Sequence, residues 1–244
     1  MKLRVVGLSD IGRLRQQNQD YVFTSEVAVG SLPNLCIVAD GMGGHKAGEY
    51  ASKCAVETMV GEINLLKEPD PRKVLAKAIK RANEKVRQKA TADENFKGMG
   101  TTVVATTFDG NSLLVANVGD SRMYYLGDEI KQITIDHSLV EEMIKIGGLD
   151  REKARSHPDK NIITRAIGVV DLVDADFFSI DNVRLGDMIL MCSDGLSNML
   201  EDQEIFTIAK QNISLEEAAG QLIKAANANG GRDNITVILG RFEE

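Results

Sequence analysis

Five aspartates stand where a carboxylate could do chemistry rather than solubilise a surface. Asp40 ends the apolar run Leu35-Cys36-Ile37-Val38-Ala39 and enters the glycine-rich turn Gly41-Met42-Gly43-Gly44-His45. Asp194-Gly195 follows a second apolar run, Met188-Ile189-Leu190-Met191-Cys192-Ser193, and Asp233 stands in Gly230-Gly231-Arg232-Asp233-Asn234, which opens the last one. Asp20 closes Arg15-Gln16-Gln17-Asn18-Gln19, and Asp120 follows Ala116-Asn117-Val118-Gly119 at a strand-to-turn junction. An isolated Asp-Gly is ordinarily a turn, and Asp109-Gly110-Asn111 reads as a hairpin. Acids delivered repeatedly to the ends of apolar runs instead suggest carboxylates gathered at one edge of a sheet. Such a group repels itself unless a cation is shared among its members. The set contains only oxygen donors and lacks the histidine or cysteine spacing of zinc, so it suits Mg²⁺ or Mn²⁺, and paired ions are a common hydrolytic device.

Other chemistries fit less well. Gly43 and Gly48 have phosphate-loop separation, but Glu49-Tyr50 stands where Lys and Ser or Thr belong. Lys46 occupies the third glycine position of a dinucleotide fingerprint. Ser193 lacks the Gly-x-Ser-x-Gly context of a nucleophile elbow. His45, His137 and His157 are the only histidines, and His45 reads as structural or solvent-facing.

The elements that must carry these acids follow from periodicity. Strands are expected at residues 3–8, 21–29, 35–39, 101–108, 112–118, 122–126, 175–180, 187–192 and 235–239. Helical spacing appears after Gly44 (Ala47, Ala51, Cys54, Ala55, Thr58), from Pro71 (Val74, Leu75, Ala78, Ile79, Ala82, Val86), near residues 139–146, and at 202–210 and 215–226. The second of these helices carries Lys77, Lys80, Arg81, Lys85, Arg87 and Lys89 on its other side, which reads as a solvated face. Residues 138–161 are polar and broken, an insert beside the sheet. The order is not the alternating βαβ of a doubly wound fold; it predicts antiparallel sheets with helices layered outside them.

The 244 residues, 43% hydrophobic and 27% charged, fit one fairly large domain, expected to span 1–244. A net charge of -7 disfavours a nucleic-acid partner. Cys36, Cys54 and Cys192 have no short pairing and lie in apolar contexts, so buried reduced thiols and a cytoplasmic setting are expected. The N-terminus lacks a signal-peptide core, and no apolar window spans a bilayer.

Arg15 to Asp20, Ala39 to Ser52, Gly98-Met99-Gly100-Thr101-Thr102, Asn117 to Arg122, Asp136-His137-Ser138, Cys192 to Leu196 and Gly230 to Val237 together resemble the metal-dependent serine/threonine protein phosphatases of the PPM (type 2C) family, in family order over nearly the whole chain. The resemblance implies an α+β fold, a four-layer αββα sandwich of two antiparallel sheets flanked by helices, with a small flap insertion at about 138–161. It implies hydrolysis of phosphoserine and phosphothreonine in proteins by water activated at two Mn²⁺ or Mg²⁺ ions, with no covalent intermediate. Matched residue by residue, Asp40 would bridge both ions, the Gly41 carbonyl would bind one, and Asp194 and Asp233 would hold the other. Asp120 with Asp194 matches a third, weaker site of bacterial members. Arg15 matches a phosphate-binding arginine, and Asp20 an acid that orients the attacking water. Gln19 replaces a glutamate common in the family, removing a charge. Met42 stands where eukaryotic members have a histidine proposed as general acid, so water is expected to supply the leaving-group proton.

The partners implied are phosphorylated proteins, with a serine/threonine kinase and its substrates among them, and neither nucleic acid nor membrane; a monomer is expected. Two rival readings are a phosphoprotein-binding module that no longer hydrolyses and a two-metal hydrolase of small phosphoesters. The complete set of acids speaks against the first, and the low aromatic content (5%, no Trp) speaks weakly against a nucleotide-binding version of the second.

Overall fold

The computed structural model describes residues 1–44 and 46–244, so the expectation placed on His45 lies outside the described residues. The chain opens with strands β1 (Lys2–Asp10), β2 (Asp20–Ser25) and β3 (Leu35–Met42), then helices α1 (Ala47–Leu65) and α2 (Pro71–Ala92). A 3-10 turn at Glu94–Phe96 precedes β4 (Gly100–Thr101), β5 (Val103–Phe108), β6 (Leu113–Val118), β7 (Arg122–Leu126) and β8 (Ile130–Gln132). Short helices α3 (Leu139–Lys145) and α4 (Arg151–Ala154) are followed by β9 (Asp176–Ile180) and β10 (Met188–Cys192). Helices α5 (Asp194–Ser197), α6 (Asp202–Ala209) and α7 (Leu215–Ala228) lead to β11 (Ile235–Glu243).

The strands form two antiparallel sheets, in the orders β1-β11-β10-β7-β8 and β2-β3-β5-β6-β9, with β4 paired to β3 off the second path. Their facing sides enclose a core of Val38, Val104, Val115, Met123, Met191 and Ile238. The outer side of the second sheet is covered by α1 and α2 through Ala51, Ala55, Met59, Leu75 and Ile79. Leu196, Ile205, Ala218, Leu222 and Ala226 do the same for the first sheet, from α5, α6 and α7. The expected αββα sandwich is the observed fold. Central strands are buried on both sides, so β3, β5 and β10 read as continuous apolar runs rather than alternating ones.

Local chemistry sets the element boundaries. Pro71 starts α2 beneath an Asp70 carboxylate that accepts from the Arg72 N–H. Ser138 and Ser214 cap α3 and α7 in the same way. Asp109 Oδ1 accepts from the Asn111 and Ser112 N–H groups, making the expected β5–β6 hairpin turn. The basic face of α2 is a solvated one, and Lys77, Arg81, Arg87 and Lys89 pair with Glu68, Glu84, Asp171 and Asp93.

Several boundaries differ from the sequence expectation. The strand expected at 21–29 ends at Ser25, and 26–32 turn back through a Val29–Leu32 bridge. The strand expected at 101–108 is broken at Thr102, where the Asp40 N–H of the facing strand β3 donates to the Thr102 hydroxyl. β3 runs on through Asp40 and Gly41 to Met42, so Asp40 lies within the strand rather than at its end. Cys36 and Cys192 are buried, and burial pushes both thiols up to about 12; Cys54 is only half-buried. Among the described residues no helix is long and apolar enough to cross a membrane.

One buried amide ties α2 to the segment between α4 and β9, which bridges to β4. Asn83 donates to the Val170 and Asp171 carbonyls and accepts from the Gly168 N–H, while Ile167 exchanges backbone hydrogen bonds with Thr101. Replacing Asn83 with Ala strands these groups in a protein interior, at a cost of about 2–3 kcal/mol. A fall in Tm of roughly 5–10 °C is expected by calorimetry; a fall under about 2 °C would show the tie to be dispensable.

Candidate metal centre

Strand direction alone brings the five acids together. β2 begins where its antiparallel neighbour β3 ends, so Asp20 is the direct cross-strand partner of Asp40. β6 runs in the direction of β3, with β5 between them, and delivers Asp120 to the same end. In the other sheet β10 ends and β11 begins at one end, which places Asp194 beside Asp233; a Cβ on Gly195 would lie 3.5 Å from the Asp233 Cβ. β1 ends beside the start of β11, so the segment carrying Arg15 folds over the same edge. There Arg15 Nη2 lies 2.6 Å from Asp233 Oδ2.

The backbone around Asp40 is fully engaged. Its N–H donates to Thr102 Oγ1 (2.9 Å), and its carbonyl accepts from the Thr102 N–H (2.9 Å) and from Thr101 Oγ1 (2.9 Å). The Thr102 hydroxyl also meets Ser121 Oγ at 2.7 Å, linking the turn that carries Asp120. At Gly41 the N–H donates to the Gln19 carbonyl, which also accepts from Ser52 Oγ at 2.6 Å. A Cβ on Gly41 would lie 2.0 Å from the Gly48 carbonyl oxygen, so only glycine permits α1 to start this close to β3.

Three residues have orienting roles that the sequence did not reveal. Ser193, fully buried, donates to Asp20 Oδ2 (2.7 Å) and accepts from the Thr236 N–H (3.0 Å), which removes it from any nucleophilic role and makes it a support of Asp20. Asn234 accepts from the Gln19 N–H and donates to the Ile11 and Gln17 carbonyls, fixing the segment that bears Arg15 and Asp20. Thr102 is the third. Their only sequence signal is position, each being adjacent to or facing a strand-end acid.

The electrostatics are those of crowded anions. Burial, outweighing the hydrogen bonds from Thr236 and Ser193 and reinforced by Asp194 and Asp233, pushes Asp20 up to about 7. Burial and then Asp233 raise Asp194 to about 6. Asp40 is pushed well up by burial and by Asp20, Asp194, Asp120 and Asp233; Asp120 is pushed up by burial and by Asp194. Asp20 Oδ1 and Asp120 Oδ1 are buried with no hydrogen-bond partner among the described residues. Orphaned buried carboxylate oxygens in an oxygen-only set fit hard divalent cations. Among the described residues no three His, Cys, Asp or Glu side chains close into a cage for one ion.

Two cavities open on this edge. One of about 150 Å³ is lined by Arg15, Lys160, Arg232, Asp194, Asn198 and Asp233. A larger cleft of about 560 Å³ runs from Asp120 and Asp194 to the 138–161 segment, with Val140, Glu141, Ile144 and Arg155 on its far wall.

Comparison with known proteins gives this site its class. Residues 12–239 match the Protein phosphatase 2C family, and the chain belongs to that family. It is 40% identical over 238 residues to the serine/threonine phosphatase Stp of Listeria innocua, covering 95% of this chain and 92% of that one. It is 39% identical over 246 residues to the protein phosphatase PhpP of Streptococcus pneumoniae, covering 97% and 96%. The solved S. agalactiae serine/threonine phosphatase superposes with a TM-score of 0.92 at 38% identity, over 99% of this chain and 100% of that one. The catalytic domain of PstP, solved in complex with two manganese ions, gives 0.87 at 32% identity over 100% and 99%. The protein is a metal-dependent serine/threonine protein phosphatase.

The raised acids fix the sign of a pH effect in cation-free protein. A carboxyl whose pKa is higher folded than unfolded binds more protons in the folded state, so stability is lost as pH rises. For Asp20 and Asp194 the loss runs from their ordinary 3.8 up through about 7 and about 6. Chelated protein should therefore show a steeper drop in Tm between about pH 5 and about pH 8 than an Asp20→Asn variant. Equal slopes would show that Asp20 is not strained by its surroundings.

Proposed function

We propose that residues 1–244 act as one phosphatase domain that hydrolyses phosphoserine and phosphothreonine in partner proteins, opposing a serine/threonine kinase, as a cytoplasmic monomer. The observation carrying the site assignment is the gathering of Asp20, Asp40, Asp120, Asp194 and Asp233 at one end of both sheets, with orphaned oxygens on two of them. Asp40 and the Gly41 carbonyl would hold one cation, Asp40 bridging to a second held by Asp194 and Asp233; Asp120 with Asp194 would hold a third, weaker one. When bound, the cations supply Lewis acidity that lowers the pKa of water and offsets charge on phosphate oxygens.

The chain's own groups do the rest. Arg15, held by Asp233 and about half exposed, binds equatorial phosphate oxygens with charge-assisted hydrogen bonds. Asp20, oriented by Ser193, presents a carboxylate oxygen without a partner among the described residues, which orients the attacking water and takes up its proton. With Ser193 buried against Asp20, attack by water on phosphorus needs no enzyme ester.

The test is phosphate release from a phosphothreonine peptide by metal-stripped protein titrated with Mn²⁺, beside Asp194→Ala. Mn²⁺-dependent turnover that falls to the metal-free background in the variant is expected. Turnover surviving in Asp194→Ala would defeat the site assignment, and none in the parent despite calorimetric Mn²⁺ binding would favour a phosphoprotein-binding module.

The 138–161 segment, walling the larger cleft through α3 and α4, serves in this reading as a flap that selects phosphoproteins. Exchanging it for the equivalent segment of a relative should change relative kcat/KM across a phosphopeptide panel by more than about threefold, a difference of roughly 0.6 kcal/mol. Unchanged ratios would remove selectivity from the flap.

A further inference from the structure

His137 is buried, yet it is remote in sequence from every acid of the metal centre. It grips Gly119, the residue before Asp120, from both sides: the Gly119 N–H donates to His137 Nδ1 (2.9 Å), and the His137 N–H donates to the Gly119 carbonyl (3.0 Å). The other ring nitrogen, Nε2, lies 3.1 Å from Asp176 Oδ2, and Arg165 Nη1 holds the second oxygen of that carboxylate at 2.7 Å. An acceptor at Nδ1 leaves the proton on Nε2, so Asp176 selects the tautomer that Gly119 needs. Burial holds the ring's pKa down, consistent with a neutral imidazole. Gly119 itself has φ +113°, and a Cβ there would lie 2.6 Å from the Thr102 side chain. The turn therefore has a conformation that needs an external hold.

The residue before His137 braces the other side of the same turn. Asp136 takes hydrogen bonds from Arg122 Nε and Nη2, the shortest 2.7 Å, and this pair is largely buried. Asp120 is thus bracketed at Gly119 by His137 and at Arg122 by Asp136. The bracket also sits at the neck of the flap, where Leu139 N–H donates to the Ile162 carbonyl and Thr164 N–H to the His137 carbonyl.

The geometry points to His137 as a positioning residue that fixes the Asp120 turn from the neck of the flap and thereby sets the affinity of the third, weaker cation site, an inference that rests on the proposed metal assignment. Asp120 has an unpartnered buried oxygen among the described residues, so its carboxylate has little besides the backbone turn to hold it in place. A supporting contact behind a metal ligand typically changes metal affinity by about 10- to 100-fold. His137 touches neither water nor phosphate in this scheme; it acts through Gly119.

The experiment is Mn²⁺ titration calorimetry on the whole protein, with Tm and circular dichroism confirming folding, for the parent, His137→Ala, His137→Asn and Asp176→Ala. Asn places its side-chain oxygen near the position of Nδ1 and can still accept from Gly119. In His137→Ala the weak-site Kd should rise by about tenfold or more with the tight sites unchanged; His137→Asn should restore it to within about threefold. Asp176→Ala, made at a partly exposed carboxylate, should weaken the same site and serves if truncating the buried ring prevents folding. A weak-site Kd unchanged in folded His137→Ala or, failing that, in Asp176→Ala overturns the inference while leaving the two-cation reading intact, as would a parent that binds only two ions. Equal weakening of tight and weak sites would also overturn it, as general loosening. Absence of any tight Mn²⁺ binding by the parent would instead bring down the metal assignment itself.

Discussion

Mutual repulsion among buried carboxylates is the constraint around which the rest of the molecule is arranged. Asp20, Asp40, Asp120 and Asp194 are desolvated together, and each is pushed toward its neutral form, with burial as the largest cause in every case. Nothing local could hold such a set; it requires a scaffold stiff enough to resist the acids moving apart. Two sheets packed face to face provide it: Asp20 and Asp40 are held in the ladders of β2 and β3, and Asp120, Asp194 and Asp233 stand just outside the ends of β6, β10 and β11. The surrounding hydrogen bonds then satisfy the backbone of Asp40 through Thr101 and Thr102 while leaving carboxylate oxygens open. A divalent cation converts the unfavourable cluster into a favourable one, so folding of this edge and cation binding are linked.

The same constraint explains which parts were legible in the sequence. Buried strands with outer helices give strong period signals, so the element order and the sandwich could be read directly. The acids were legible because each follows or precedes an apolar run, and a strand end is where a carboxylate escapes the ladder. What escaped notice was determined by tertiary contacts. Nothing in Thr101-Thr102-Val103 marks a break; the break exists because the Asp40 N–H, opposite Thr102 on β3, donates to the Thr102 hydroxyl. β8, at the edge of its sheet and only three residues long, is too short to show alternation. The supporting roles of Ser193, Asn234 and His137 were not legible, since their partners lie at sequence separations no local pattern encodes.

Family resemblance and physical reading contributed differently. Spacing and residue type led to an oxygen-only divalent centre and to hydrolysis. The assignment of the substrate to phosphorylated serine and threonine came from the family, and is supported by relatives that match nearly the full chain. The departures from the family pattern remain physically interpretable. Met42 is half-buried just after Gly41 and offers no titratable group, so the proton delivered to the leaving oxygen must come from elsewhere, and water is the simplest donor.

The two ends of the large cleft differ in how firmly they are held, and in the proposed reading that difference would separate chemistry from selection. The acids stand on or beside strands such as β3, β6 and β10 whose side chains are almost all buried, whereas α3 and α4 bury only Val140, Glu141 and Ala154 and leave the rest half-buried or exposed. Segments with few buried contacts open at low free energy and tolerate change. If the segment serves as the proposed flap, it would alter which phosphoprotein reaches the edge without disturbing Asp40 or Asp194. The exception is its neck, where Asp136 and His137 grip both sides of the Asp120 turn. Freedom to vary the flap should therefore end at these two residues, because a change there is felt in the carboxylate set that the sheets were built to hold.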